Sequence, residues 1–95
     1  MSDPAKSATD VEQTSTEIIP ANPLRNGIIL CNRGDVDVDL GFGEAAVLNE
    51  GIVAPAGGIV TLHYGGEPAG YNDIFKKAIN GISASGTNKV SYQEL

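Results

Sequence analysis

The sequence has one cysteine, one histidine, one methionine and no tryptophan. A single cysteine, Cys31, excludes an intrachain disulfide and any cysteine-based metal spacing. It stands in an apolar run, where a free thiol reads as a small hydrophobe. A single histidine, His63, with no aspartate matched to it in a motif, gives poor support for a catalytic triad and reads as a polar surface residue. There is no glycine-rich phosphate loop and no dinucleotide fingerprint. No apolar run approaches the roughly 20 residues that span a bilayer. Positive charge is also scarce: six basic residues against twelve acidic ones give a net charge of −6, which argues against a basic nucleic-acid surface. The polar N-terminus lacks the apolar stretch of a signal peptide, so the expectation is assembly in the cytoplasm of the producing cell. From these scarcities the sequence predicts a protein that is not an enzyme, holds no cofactor or metal, and binds neither nucleic acid nor membrane.

Glycine and proline, in contrast, are plentiful, at twelve and five in 95 residues. They cut the chain into short segments, which favours strands and turns over helices. Thr14 to Ile19 is rich in β-branched residues and reads as a strand ended by Pro20 and Pro23. Gly27 to Cys31 is continuously apolar, as in a strand covered on both faces. Asn32-Arg33-Gly34-Asp35 reads as a turn, and the Arg-Gly-Asp tripeptide within it as a chance match to an adhesion motif. Val36, Val38, Leu40 and Phe42 then alternate with Asp35, Asp37, Asp39 and Gly41, so this stretch and the one before the turn predict a hairpin with one buried face.

Further strands are predicted at Gly51–Ala54, around Val60, Leu62 and Tyr64, over Ala78–Ser85, and over Lys89–Glu94 with Val90 and Tyr92 inward. Turns fall at Pro55–Gly58 and Gly86–Asn88, and residues 65–70 form a glycine-rich loop. Asn72 or Asp73 caps a short helix through Lys77, or the stretch is another strand. The expected fold is therefore all-β: a small antiparallel β-sandwich or jelly-roll-like barrel of about six to eight short strands. Residues 1–13 are polar with no apolar period and predict a flexible N-terminal arm, either disordered or laid across a neighbour; residues 14–95 form the single domain.

Three features are candidates for contact. Asp35, Asp37 and Asp39 project from one side of a strand at about 7 Å spacing, too spread for a calcium cage. They read either as a solvated face that discourages edge pairing or as a docking face for a basic partner. Tyr71, Phe75, Lys76 and Lys77 flank the glycine loop as a second contact element. Arg25, just after Asn22-Pro23, is placed to pin a crossover through carbonyls or a carboxylate.

The segments Ile19–Asn32, Val38–Gly43, Gly51–Gly58 and Ile82–Val90 share a pattern: Pro-Ala-Asn-Pro before an arginine, an apolar strand ending in asparagine, Gly-Phe-Gly, a Pro-Ala-Gly-Gly turn and an Ala-Ser-Gly-Thr stretch. In this the chain resembles small bacteriophage virion structural proteins, over roughly residues 18–94. The bulkier, more basic Asp73–Ile79 departs from that pattern. The resemblance implies a capsid decoration or cement protein on the phage head surface, with the major capsid protein as partner and a homo-oligomer, by analogy a trimer. A tail or fibre module that binds a host receptor or glycan is the alternative it implies.

Overall fold

The computed structural model describes residues 6–63 and 76–95. The glycine loop, Tyr64, Tyr71 and Phe75 lie outside the described residues, as does the helix-or-strand stretch apart from Lys76 and Lys77. Among the described residues there are eight strands: β1 (Lys6–Val11), β2 (Thr16–Ile19), β3 (Gly27–Asn32), β4 (Val38–Phe42), β5 (Ile52–Ala54), β6 (Ile59–His63), β7 (Ile79–Ser83) and β8 (Asn88–Glu94).

Their pairing follows one rule. β1 pairs with β8, β2 with β7, β3 with β6 and β4 with β5, all antiparallel, as in one long hairpin with its apex at 43–51. Winding that hairpin brings β3 onto β8 and β4 onto β7. Two four-stranded sheets result, in the orders β1-β8-β3-β6 (sheet A) and β2-β7-β4-β5 (sheet B). This arrangement is a jelly roll.

The core lies between the sheets, where alternate residues turn inward. Val11, Ile28, Leu30, Val38, Ile79 and Val90 are fully buried, with Ile18, Ile19 and Leu40 nearly so; Phe42, Val60, Leu62 and Tyr92 pack against them. Each fully buried aliphatic side chain contributes about 1.5–3 kcal/mol relative to exposure. Gly81 lies between the side chains of the two strands that flank β7, since a Cβ there would lie 2.8 Å from Ile18 Cδ1 and 3.0 Å from Val38 Cγ1.

Three expectations need correction. The segments on either side of Asn32–Asp35 do not form a hairpin: β3 belongs to sheet A and β4 to sheet B, and residues 33–37 cross between the sheets. The cause is the Asn32 side chain, which is buried and donates from Nδ2 to Val36 O (2.8 Å) and Ala54 O (2.9 Å) while Oδ1 accepts Gly34 N (2.9 Å). Those bonds turn the chain onto the opposite sheet. Gly34 is needed there because a Cβ would collide with the Asn88 side chain, whose Oδ1 accepts Val36 N.

Residues 6–11 of the expected arm belong to the fold. Lys6–Val11 is a strand in register with β8 from Lys6↔Gln93 to Val11↔Asn88, with Lys89 Nζ 3.8 Å from Asp10 Oδ1 across the ladder. Residues 1–5 lie outside the described residues. Finally, β3 is fully covered on one face only: Ile28, Leu30 and Asn32 are buried, whereas Ile29 and Cys31 on the outer face are half-buried.

If β1 is part of the fold, Val11→Ala removes about two buried carbons and leaves a cavity, and should lower stability by about 2 kcal/mol in urea unfolding. An unchanged midpoint would return residues 6–13 to the status of an arm.

Candidate functional site

The two ends of the sandwich are held by different polar pins. At one end, Asn32, Asn88 and Ser83 tie the crossover 33–37 to the turns 55–58 and 84–87. Asn32 N donates to Gly58 O (3.0 Å), Asn88 Nδ2 to Ser85 O (3.0 Å), and Ser83 N to Glu12 O (2.9 Å).

At the other end sits Arg25, whose side chain is fully buried. Its Nε donates to Glu94 Oε2 at 2.7 Å, Nη2 to Pro20 O at 2.6 Å and Nη1 to Lys77 O at 3.2 Å. Asn22 completes the cluster: Nδ2 donates to the same Glu94 oxygen (3.1 Å), its N–H to Lys76 O (2.8 Å), and its Oδ1 accepts Leu24 N (3.0 Å). A planar guanidinium can satisfy three directions at once, which a lysine ammonium on a flexible stem cannot fix. The predicted pinning role of Arg25 is thus realised through both carbonyls and a carboxylate. With these donors engaged within the fold, the cluster is a structural latch.

The exposed chemistry lies on sheet B. After β4 the chain folds back over the outer face of this sheet in the loop 43–51. Gly41 permits that close approach: a Cβ there would lie 2.7 Å from Glu44 O and 2.9 Å from Ala45 O. The loop is tied down along its length. Gly43 N donates to Ala78 O (2.7 Å), Asn80 Nδ2 to Glu44 O (2.6 Å), Ala46 N to Ser15 Oγ (2.9 Å), and Asn49 N to Asp39 Oδ2 (3.0 Å). Asn49 adopts φ 65°, a left-handed conformation that asparagine tolerates better than most residues.

This tethered loop holds apolar side chains outward. Val47 and Leu48 are 48% and 38% exposed, and Val53, which lies opposite Asp39 on the outer face of β5, is 43% exposed, whereas Ile52 lies opposite Leu40 on the inner face at the sheet edge. Carboxylates border Val47, Leu48 and Val53. Asp39 pairs directly with Val53 across the β4–β5 ladder, Glu50 donates its N–H to Val47 O (3.1 Å), and Glu44 shares with Val47 and Glu50 the wall of a cavity of about 140 Å³. An apolar platform inside an acidic rim is the result.

The predicted site residues are therefore dispersed. Asp35, Asp37 and Asp39 do not share a strand face, because β4 begins at Val38 and the first two lie in the crossover. The Asp37 carboxylate accepts Ala56 N (3.0 Å), and half-buried Asp39 holds the loop. Lys76 and Lys77 contribute their carbonyls to the Arg25 cluster. Tyr71 and Phe75 lie outside the described residues. The Arg-Gly-Asp tripeptide is at the crossover, with Arg33 Nε donating to Ser91 Oγ (3.0 Å). The sequence signal for the platform is the short apolar run Ala45-Ala46-Val47-Leu48 before Asn49.

On the opposite side, the outer face of sheet A has a broad open depression of about 370 Å³ lined by Ser7, Ile29, Cys31, Ser91, Tyr92 and Gln93. Among the described residues, no group of three or more His, Cys, Asp or Glu side chains could hold a metal ion, and no helix is long and apolar enough to cross a membrane. Comparison with protein-family models, curated proteins and solved structures found no match.

Removing one partner of the latch strands the other in a buried site. Arg25→Ala or Glu94→Ala should each cost about 3–5 kcal/mol in chemical unfolding, while a double replacement by Met should cost much less than the sum. Single variants within about 0.5 kcal/mol of wild type would remove the latch from any account of stability.

Proposed function

We propose that this protein is a non-enzymatic component of a bacteriophage virion that decorates the outer face of the head and stabilises it, with the major capsid protein as its partner. The observation that carries this reading is the platform of Val47, Leu48 and Val53, exposed on and beside a loop that is itself bonded to the sheet. Rigid, exposed apolar side chains cost solvation free energy in the free protein, and contiguous patches of them mark protein interfaces. Preorganisation by the loop reduces the ordering cost of docking. The bordering carboxylates favour a partner whose apolar contact is flanked by lysine or arginine.

The sequence resemblance to phage virion proteins supports the same reading. The jelly roll is compatible with it, being frequent among viral capsid and lectin domains, but that is an argument from fold class and not from a site. A protein that binds the assembled shell and not the free coat subunit stabilises the shell by linkage. The platform is a natural centre for such a contact.

The test is binding of the full-length chain to purified phage heads that lack it. Saturable binding at a fixed copy number, greater resistance of the heads to heat, and weaker binding at high salt are expected. Leu48→Lys and Val53→Lys alter exposed side chains and should leave folding intact while weakening head binding by more than about tenfold. Retention on host cell surfaces with no binding to heads would replace decoration by a tail or fibre role.

A further inference from the structure

A jelly roll leaves four sheet edges, here β1, β6, β2 and β5. An unpaired edge presents a row of N–H and C=O groups that invites another strand, and proteins block such edges with charge, proline, bulges or short length. Three of the four edges are blocked. β1 carries Lys6 and Asp10. β2 carries Glu17, has a register shift between Glu17 and Ile19 in its pairing with β7, and runs into Pro20. β5 is three residues long, with Glu50 before it and Pro55 after it.

β6 has none of these devices. Its five residues, Ile-Val-Thr-Leu-His, include no Lys, Arg, Asp, Glu or Pro, and its register with β3 is unbroken from Gly27↔His63 to Cys31↔Ile59. Among the described residues no strand pairs with its other edge. The direction of its backbone groups follows from β3. Asn32 exchanges bonds with the chain leading into β6 (Asn32 N to Gly58 O, Gly57 N to Asn32 O), while Arg33 N and Gly27 O bond toward β8. By alternation, Ile28, Leu30 and Asn32 face β6, so Val60 and Leu62 bond back to β3. Ile59, Thr61 and His63 therefore direct their N–H and C=O groups to the open edge. Ile59 is also 66% exposed.

We infer that β6 is a self-association edge, which pairs antiparallel with β6 of a second copy about a two-fold axis at Thr61. The register is self-complementary. Thr61 meets Thr61 of the partner subunit, Val60 meets Leu62 of the partner subunit, and Ile59 meets His63 of the partner subunit. The ladder supplies about six main-chain hydrogen bonds. It also covers the half-buried Val60 and Leu62, which already pack against the core. Charge selects this edge over the rest of the surface. Two copies that each carry −6 repel, and they meet most easily where, among the described residues, no carboxylate stands; the outer-face neighbours of β6 on β3 and β8, namely Ile29, Cys31, Ser91 and Gln93, are uncharged as well. An isologous pair of this kind closes on itself and joins two sheets A into one eight-stranded sheet.

This pairing rests on the edge alone and is independent of head decoration. It is tested by sedimentation equilibrium of the full-length chain over a range of concentrations. Wild type should fit a monomer–dimer equilibrium. Thr61→Lys, at an exposed position whose N–H does not bond to β3, sets two like charges opposite each other on the axis and should weaken the dimer by at least about tenfold with an unchanged circular dichroism spectrum. Val53→Lys, on the platform of sheet B, should leave the dimer intact, so loss of head binding and loss of pairing are separable. A wild-type chain that stays monomeric at about millimolar concentration, a trimer, or a dimer indifferent to Thr61→Lys would each overturn the inference.

Discussion

The buried ion pair between Arg25 and Glu94 is the interaction on which one whole end of this sandwich depends. A jelly roll this small has short strands and a thin core, and apolar burial alone does not fix how its crossovers lie. The guanidinium solves that problem by geometry. It binds the carboxylate near the C-terminal end of β8, a carbonyl in the crossover after β2 and a carbonyl just before β7, so three chain segments distant in sequence share one centre. Apolar replacement of such a pair is often tolerated, but loss of a single partner is not, because the remaining charge has no solvent. Asparagines serve the other end in the same manner without charge.

Order at the ends has a consequence on the outside. The chain between β4 and β5 does not wander as a free loop: it returns across the outer face of sheet B, made possible by the missing side chain at Gly41, and is bonded to Ser15, Asp39, Ala78 and Asn80. Val47 and Leu48 are thereby held in solvent on the face that Val53 shares. The two sheets acquire distinct characters. Sheet B carries the acidic-rimmed platform, and sheet A pairs Asp10 with Lys89 across its β1–β8 ladder and ends at the unblocked strand β6.

Much of the fold was legible because alternation reports which side chains turn inward. Val38, Leu40 and Val90 were assigned correctly on that basis, and the turn at Pro55–Gly58 followed from its residues. Alternation does not report which strand lies beside which. Asn32–Asp35 has the composition of a hairpin turn, and only the distant partners of the Asn32 and Asn88 side chains send the chain to the other sheet. Lys6–Val11 was illegible for a related reason: it has one core side chain, Val11, and its strand state comes from the β8 ladder and not from its own sequence. The phage-like motif proves mainly architectural, since Asn22, Arg25, Asn32 and Gly41 all serve the fold. The platform was hidden because an exposed apolar residue and a buried one are identical in sequence until the loop that carries them is placed.

That loop is therefore the most direct point of attack. Amide hydrogen exchange should be measured on the free chain and on the chain bound to phage heads. The account predicts that the amides of Gly43, Ala46 and Asn49, each bonded within the fold, exchange slowly in the free protein, and that residues 47–53 slow further on the heads. Exchange of those amides at the rate of an unstructured chain in the free protein, or no further slowing of 47–53 on heads that bind it, would contradict a preformed docking platform.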